Sequence, residues 1–226
     1  MTWLAIDTAT ARASVAAGTS AADAVEETLD GARQHARALI PMVERVLARR
    51  GAALGDVEGI IVADGPGSFT GLRVSAAFAK ALVDARGLAL RTAPSLLARA
   101  AAADASAAGA GGLATAALLA TADALRGDRY AGAWRFPAGR VETLLAPRVI
   151  RADALADLAA GLGARLVGDE PASARWLLEL MRRDGGTTRV DHVQSWEPVY
   201  GRPAEAQAKW EREHGHGLPD PAGAAG

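Results

Sequence analysis

The chain has 226 residues, half of them hydrophobic, and a formal charge of −1. It contains no cysteine, which excludes disulfides, thiolate metal sites, iron–sulfur clusters and cysteine nucleophiles. The near-neutral charge argues against a broad basic face for nucleic acid. With no long run of large apolar residues and no basic-then-apolar leader, a cytoplasmic protein without a membrane span is expected.

Alanine supplies 56 of the hydrophobic residues, and arginine outnumbers lysine 23 to 2. Alanine is helix-permissive and carries little pattern, so turns and caps matter more than periodicity. Residues 3–6 read as a strand ending at Asp7. Residues 14–17 and 24–29 read as two more strands, joined by short polar turns into an antiparallel meander. Residues 33–50 place Leu39, Ile40, Val43, Val46 and Leu47 at helical spacing. Residues 57–63 are a fourth strand, broken by Gly65-Pro66-Gly67. Ser68 is a good N-cap for a helix to about Arg86, with Gly87 as its stop. A strand over 88–92 follows, and Pro94 opens the next helix.

Residues 101–112 are low in complexity and read as a loop or a frayed helix end. They separate an N-terminal lobe (1–104) from a smaller C-terminal lobe (113–210). The second lobe contains a strand over 113–122, a hairpin of 129–136 with 140–145, a helix over 152–161, a strand over 164–168 and a helix over 172–183. Residues 197–203 are an extended, proline-bounded segment, able to strap across the sheet or reach a partner. The tail over 211–226 is expected to be disordered. Hairpins followed by alternating strand–helix units predict a mixed α/β sheet, antiparallel at one edge and parallel at its centre. Ribonuclease H-like half-domains have this order.

Two strings stand where such a sheet binds ligands. Asp7, Thr8 and Thr10 follow the first strand, at the carboxyl end that faces the crevice in open α/β sheets. A carboxylate and hydroxyls there suit a magnesium-bound phosphate, or simply close a hairpin turn. Residues 65–73, GPGSFTGLR, connect strand to helix. Gly65 and Gly67 permit close backbone approach, and the helix start at Ser68 would attract an anion. No lysine follows, so this is not a P-loop. Asp123, in the ADALRGDRY turn, either faces the crevice or belongs to a charged turn. His35 has no second histidine or glutamate at helical spacing, so no metal site is expected. No nucleophile–base pair is visible either, so no catalytic residue is assigned.

These strings together carry a resemblance. LAIDTAT at 4–10, HARALIPM at 35–42, GPGSFTGLR at 65–73, DALRGDRY at 123–130 and EPVY at 197–200 resemble the TsaB (YeaZ) family, in order and over about residues 2–209. The resemblance implies an actin-like ATPase (ASKHA) fold of two lobes with mixed sheets flanked by helices, the second lobe reduced. It implies a non-catalytic subunit that binds and activates its paralogue TsaD. With the ATPase TsaE, that complex transfers a threonylcarbamoyl group to N6 of adenosine 37 in tRNAs reading codons that begin with A. It further implies helix packing against TsaD that resembles a homodimer formed when alone, and only indirect contact with tRNA. The residues agree with the non-catalytic reading, because a second phosphate loop and a glycine-rich adenosine loop are missing. No autonomously bound cofactor is expected, with ATP or ADP bound only in the assembled complex. The alternative is an ATP-dependent small-molecule kinase of the same fold, using Asp7 and the glycine turn.

The two helices beside the glycine turn are the expected partner face. His35, Arg37, Met42, Arg45, Phe69, Arg73 and Lys80 are expected to face outward, with Leu72 and Ala76 on the same stripe unless that stripe packs on the chain's own sheet. Two departures from the family stand out. Ser75, Ala76 and Phe78 add bulk after the glycine motif, and Leu125 replaces the first arginine of the D-A-R-x-G string.

Overall fold

The computed structural model describes residues 1–31, 34–109, 116–124, 126–169 and 173–201. Two sheets and five α-helices stack in layers. The first sheet runs β10 (Thr188–Arg189), β5 (Ala89–Ala93), β4 (Val57–Ala63), β1 (Thr2–Asp7), β2 (Arg12–Gly18), β3 (Val25–Asp30). Its centre is parallel: β1 beside β4, and β4 beside β5. β2 and β3 continue it as the predicted antiparallel meander. The second sheet runs β8-β7-β6-β9, from β6 (Ala117–Asp123), β7 (Asp128–Arg135), β8 (Glu142–Arg151) and β9 (Ala164–Val167).

Side chains on a strand alternate between faces, and here both faces of the first sheet are covered. Leu4, Ile6, Ile60 and Val62 point to one side, under α1 (His35–Arg50) and α2 (Phe69–Arg86). Ala5, Ile61 and Ala63 point to the other, into a core shared with α3 (Ser95–Gly109), α5 (Arg175–Leu180) and the second sheet. Ala98, Ala100 and Ala101 of α3 are buried in this middle layer. Their small side chains let one helix lie between two sheets. α4 (Leu155–Leu162), preceded by a short 3₁₀ turn over Ala152–Ala154, covers the far face of the second sheet through Leu155 and Ala159.

The helix start and stop signals read correctly. The Ser68 side chain accepts from the Gly71 N–H, and Gly87 ends α2 in the left-handed region at φ 65°. Four differences stand out, two of them with a local physical reason. α3 continues through 101–109 as helix, because buried alanines hold it between the sheets. β8 extends to Arg151, past Pro147, because the proline sits at an edge strand where the register shifts opposite Gly132. The last predicted helix shrinks to Arg175–Leu180. Finally, residues 188–201, read with the second lobe, lie on the first sheet, where β10 (Thr188–Arg189) pairs antiparallel with β5. Residues 110–115 and 202–226, including the expected tail and the end of the second lobe, lie outside the described residues, as does Leu125.

One polar cluster ties the layers. Glu26 on β3 accepts from Ser14 Oγ at 2.6 Å, Ser173 Oγ at 2.9 Å and Arg175 Nε at 2.7 Å. Ser14 Oγ also accepts from the Ala174 N–H at 2.8 Å, so the start of α5 is anchored to the meander. Among the described residues, no helix is long and apolar enough to cross a membrane.

Candidate functional site

Asp7 ends β1 and Asp64 follows β4, both at the carboxyl edge of the parallel strands. Asp7 is 2% exposed, and its Oδ1 accepts from the Ala9 N–H at 2.9 Å. Burial pushes its carboxyl up from 3.8 to about 6, against the opposing pull of the Ala9 N–H and the Arg99 guanidinium. Burial raises Asp64 to about 6 as well, opposed by a hydrogen bond with Thr92. Arg99 of α3 acts on Asp7, donates to the Thr121 carbonyl at 2.9 Å and lies 3.7 Å from Asp169. Arg129 reaches the same Asp169 at 2.6 Å.

The glycine turn packs backbone to backbone against this edge. The Ser68 N–H donates to the Ala9 carbonyl at 2.7 Å, and Thr8 Oγ1 donates to the Gly71 carbonyl at 2.7 Å. A Cβ on Gly67 would lie 2.3 Å from Ala9 O, and one on Gly71 would lie 1.9 Å from Thr8 O. A Cβ on Gly65, at φ +110°, would lie 2.1 Å from Val199 O. These glycines are therefore required for backbone-to-backbone contact. At the helix start the Ser68 N–H is taken by the Ala9 carbonyl and the Gly71 N–H by Ser68 Oγ, so neither is left for an anion. Thr10 closes the hairpin turn, accepting from the Arg12 N–H at 3.1 Å and donating to Arg12 O at 3.0 Å. Asp123 is exposed at the end of β6, in register with Arg129. Sequence reasoning missed Asp64, Arg99 and Asp169; only Asp64, at the end of a strand before the glycines, carried a local signal.

The raised Asp7 carboxyl has a testable cost. Between 3.8 and about 6 the folded state holds a proton that the unfolded chain has released, so this group lowers stability as pH rises through that window. A shift of this size corresponds to roughly 2–3 kcal/mol. Asp7→Asn keeps an oxygen for the Ala9 N–H and is expected to match wild type in urea denaturation at pH 4. It should exceed wild type by about 2 kcal/mol at pH 7. An unchanged difference between the two pH values would show that Asp7 does not carry this cost.

The second feature lies on the outer face of α1 and α2. A groove of about 610 Å³ runs between them, lined by Ala36, Leu39 and Ile40 of α1. Phe69, Thr70, Arg73, Val74, Ala77, Phe78 and Ala81 of α2 form its other wall. Ile40 is 57% exposed, which is unusual for a large aliphatic side chain on a helix otherwise packed against a core. Of the residues expected to face outward, Arg37, Arg45, Phe69 and Arg73 reach the surface or the groove. Arg45 is bound within the chain to Glu27, at 2.6 and 3.0 Å, and Lys80 to Glu197 at 3.0 Å.

Four residues do not face outward. His35, Met42, Leu72 and Ala76 are buried against the chain's own core. The helix phase explains this: Met42 packs with Leu39, Val43 and Val46 on the first sheet, and Leu72 and Ala76 lie on the inward stripe of α2 with Ser75, Ala79 and Val83. His35 Nε2 donates to the Ala11 carbonyl at 3.1 Å, while Nδ1 is buried without a partner among the described residues.

Comparison with known proteins sets this geometry in a family. A family model described as "TsaD: tRNA N6-adenosine threonylcarbamoyltransferase" matches residues 29–170. The tRNA threonylcarbamoyladenosine biosynthesis protein TsaB of Haemophilus influenzae is 38% identical over 82 residues, and that of Escherichia coli is 38% identical over 79. These alignments span 36% and 35% of this chain and about a third, 34%, of each relative. A crystal structure from Pseudomonas aeruginosa, of an uncharacterized protein similar to peptidase YEAZ, superposes with TM-score 0.70 at 26% identity. It covers 89% of this chain and 99% of that one. YeaZ from the same organism superposes with TM-score 0.67 at 24% identity over 88% and 99% of the two chains, which adds to the likeness of fold. The architecture of two mixed sheets flanked by helices is the actin-like ATPase fold, and the chain belongs to the TsaD family, within which it is similar to proteins named TsaB and YeaZ.

Proposed function

We propose that this chain is a non-catalytic subunit of the complex that transfers a threonylcarbamoyl group to N6 of adenosine 37 in tRNAs reading A-starting codons, and that it acts by binding and activating TsaD. The observation that carries this reading is the pairing of a closed glycine turn with an open apolar groove. The turn that would hold a phosphate is filled by Thr8, Ala9 and Val199 backbone, whereas the α1/α2 face offers Ile40 and Phe69 beside an empty groove. The small residues Ala36, Ala77 and Ala81 let a partner helix approach closely. The same face serves a homodimer when the chain is alone. The TsaE-like ATPase joins through the complex, nucleotide binds only in the assembly, and tRNA contact is indirect. The cytoplasm is the expected compartment. A kinase using Asp7 and the glycine turn is disfavoured, because its phosphate would have to displace backbone contacts.

The test is reconstitution with TsaD and TsaE from the same organism, unmodified tRNA, ATP and an activated threonylcarbamoyl donor, with modified nucleosides read by mass spectrometry. Threonylcarbamoyladenosine should form only when this chain is added, and the chain alone should release no phosphate from ATP. Full modification without it, or ATP turnover by the isolated chain with a phosphorylated small-molecule product, would contradict the reading.

A further inference from the structure

One side chain of the groove, Phe69, is held by a segment outside α1 and α2, and Arg73 stacks on it. Residues 192–201 run along α2 and then cross to the crevice. The Tyr200 ring lies 4.6 Å from the Phe69 ring, the planes tilted by 41°. The Arg73 guanidinium sits 5.5 Å from the Phe69 centroid. Tyr200 Oη donates to Glu197 Oε2 at 3.1 Å, and Lys80 Nζ donates to Glu197 Oε1 at 3.0 Å. Lys80 also donates to the Gln194 carbonyl at 3.2 Å, and Gln194 Nε2 donates to Asp84 at 3.3 Å. At the other end the Val199 N–H donates to the Asp64 carbonyl at 2.7 Å, and Tyr130 Oη donates to the Tyr200 carbonyl at 3.4 Å. The strap is thus fixed on both sides of Tyr200.

We infer that Tyr200 and Glu197 are positioning residues of the partner surface, fixing the Phe69 ring and the Arg73 guanidinium at the groove before a partner arrives. This rests on the reading of the groove as the TsaD-binding face. An aromatic ring and a long guanidinium lose conformational freedom on binding, and a rim already ordered loses less. Aromatic and arginine side chains are also those on which interface affinity concentrates. Glu197 adds an electrostatic role. Lys80, Tyr200 and Arg73 all hold its carboxyl below the ordinary range, the Lys80 hydrogen bond most strongly. The Glu197 carboxylate is thereby spent on Lys80, to which it is bonded, and leaves Arg73, stacked on Phe69, as the net positive charge of the rim. The surface fits an apolar helix face with a carboxylate at its edge.

The test is the dissociation constant of the complex with TsaD, measured at 0.1 and 0.5 M salt, with thermal melting of each variant as a control. Tyr200→Ala is expected to weaken binding about tenfold or more, while Tyr200→Phe, which keeps the ring, should stay within about threefold. Glu197→Gln is expected to steepen the salt dependence, because Lys80 loses its counter-charge and joins Arg73 as unbalanced positive charge on the rim. A merely structural strap would not change that slope. Ala77→Glu, inside the groove, separates the two levels of the argument. If Ala77→Glu abolishes binding while Tyr200→Ala and Glu197→Gln behave as wild type, the positioning role is overturned and the partner face stands. If Ala77→Glu also binds normally, the partner face itself is wrong. Should Tyr200→Ala fail to fold, an unchanged salt slope in Glu197→Gln overturns the inference.

Discussion

Replacing Gly71 with alanine is expected to abolish stable folding, although the residue lies in a helix where alanine is ordinarily the better choice. By propensity alone the change would stabilise α2 by roughly 1 kcal/mol. Its Cβ, however, would stand 1.9 Å from the Thr8 carbonyl oxygen and 3.1 Å from the Thr8 carbonyl carbon. Both are backbone atoms of the turn after β1, so no side chain can rotate away. Thr8 Oγ1 also donates to the Gly71 carbonyl at 2.7 Å, which ties the two segments at the point where they would have to separate. Moving α2 off the sheet would uncover Leu72, Ala79 and Val83, all buried. The cost should exceed about 4 kcal/mol, a large share of a typical domain's stability. Gly161→Ala is the matched control, because that glycine lies in α4 with no atom within 4 Å of its added Cβ. It should raise the urea midpoint slightly, by about 0.5–1 kcal/mol in stability. A Gly71→Ala protein with a wild-type midpoint would mean that the glycine turn is looser than described, and would reopen it as a phosphate site.

Local signals in the sequence carried most of the first sheet. The meander, Ser68 as cap, Gly87 as stop and the strand over 57–63 each depend on a few neighbouring residues. Long-range packing was not legible. Nothing near 101–109 shows that Ala100 and Ala101 will be sandwiched between two sheets, and a two-residue strand such as β10 has no pattern of its own. The role of the glycine motif was half legible. Its strand–turn–helix placement was clear, but only the structure shows that Gly67 and Gly71 meet the carbonyls of Ala9 and Thr8 rather than a ligand. The partner face failed on helix phase. Reading α1 and α2 without knowing which side met the sheet placed Met42, Leu72 and Ala76 outside. The outward row, Ala36 with Ile40 and Arg73 with Ala77 and Ala81, repeats every four residues and was the signal available.

That outward row is where the proposed function is most exposed to test. Ala77 lies in the groove, is exposed in the free chain and makes no core contact, so Ala77→Glu should leave folding intact. Seating a partner would then meet a longer side chain at the groove floor, whose carboxylate is either buried among Phe69, Val74 and Phe78 or pairs with Arg73 one turn away and takes that guanidinium from the partner; the expected loss is roughly a hundredfold in affinity. Leu166→Ser, on β9 of the second sheet, is the surface control, since Leu166 is 43% exposed and far from α2 in the layer order. The most direct measurement is the mass and stoichiometry of the complex formed at micromolar concentration by this chain and TsaD from the same organism. A one-to-one assembly is expected for wild type and Leu166→Ser, with only separate proteins for Ala77→Glu. Absence of any wild-type complex, or a complex that Ala77→Glu leaves intact, would contradict the proposal that this chain works by docking its α1/α2 face onto TsaD.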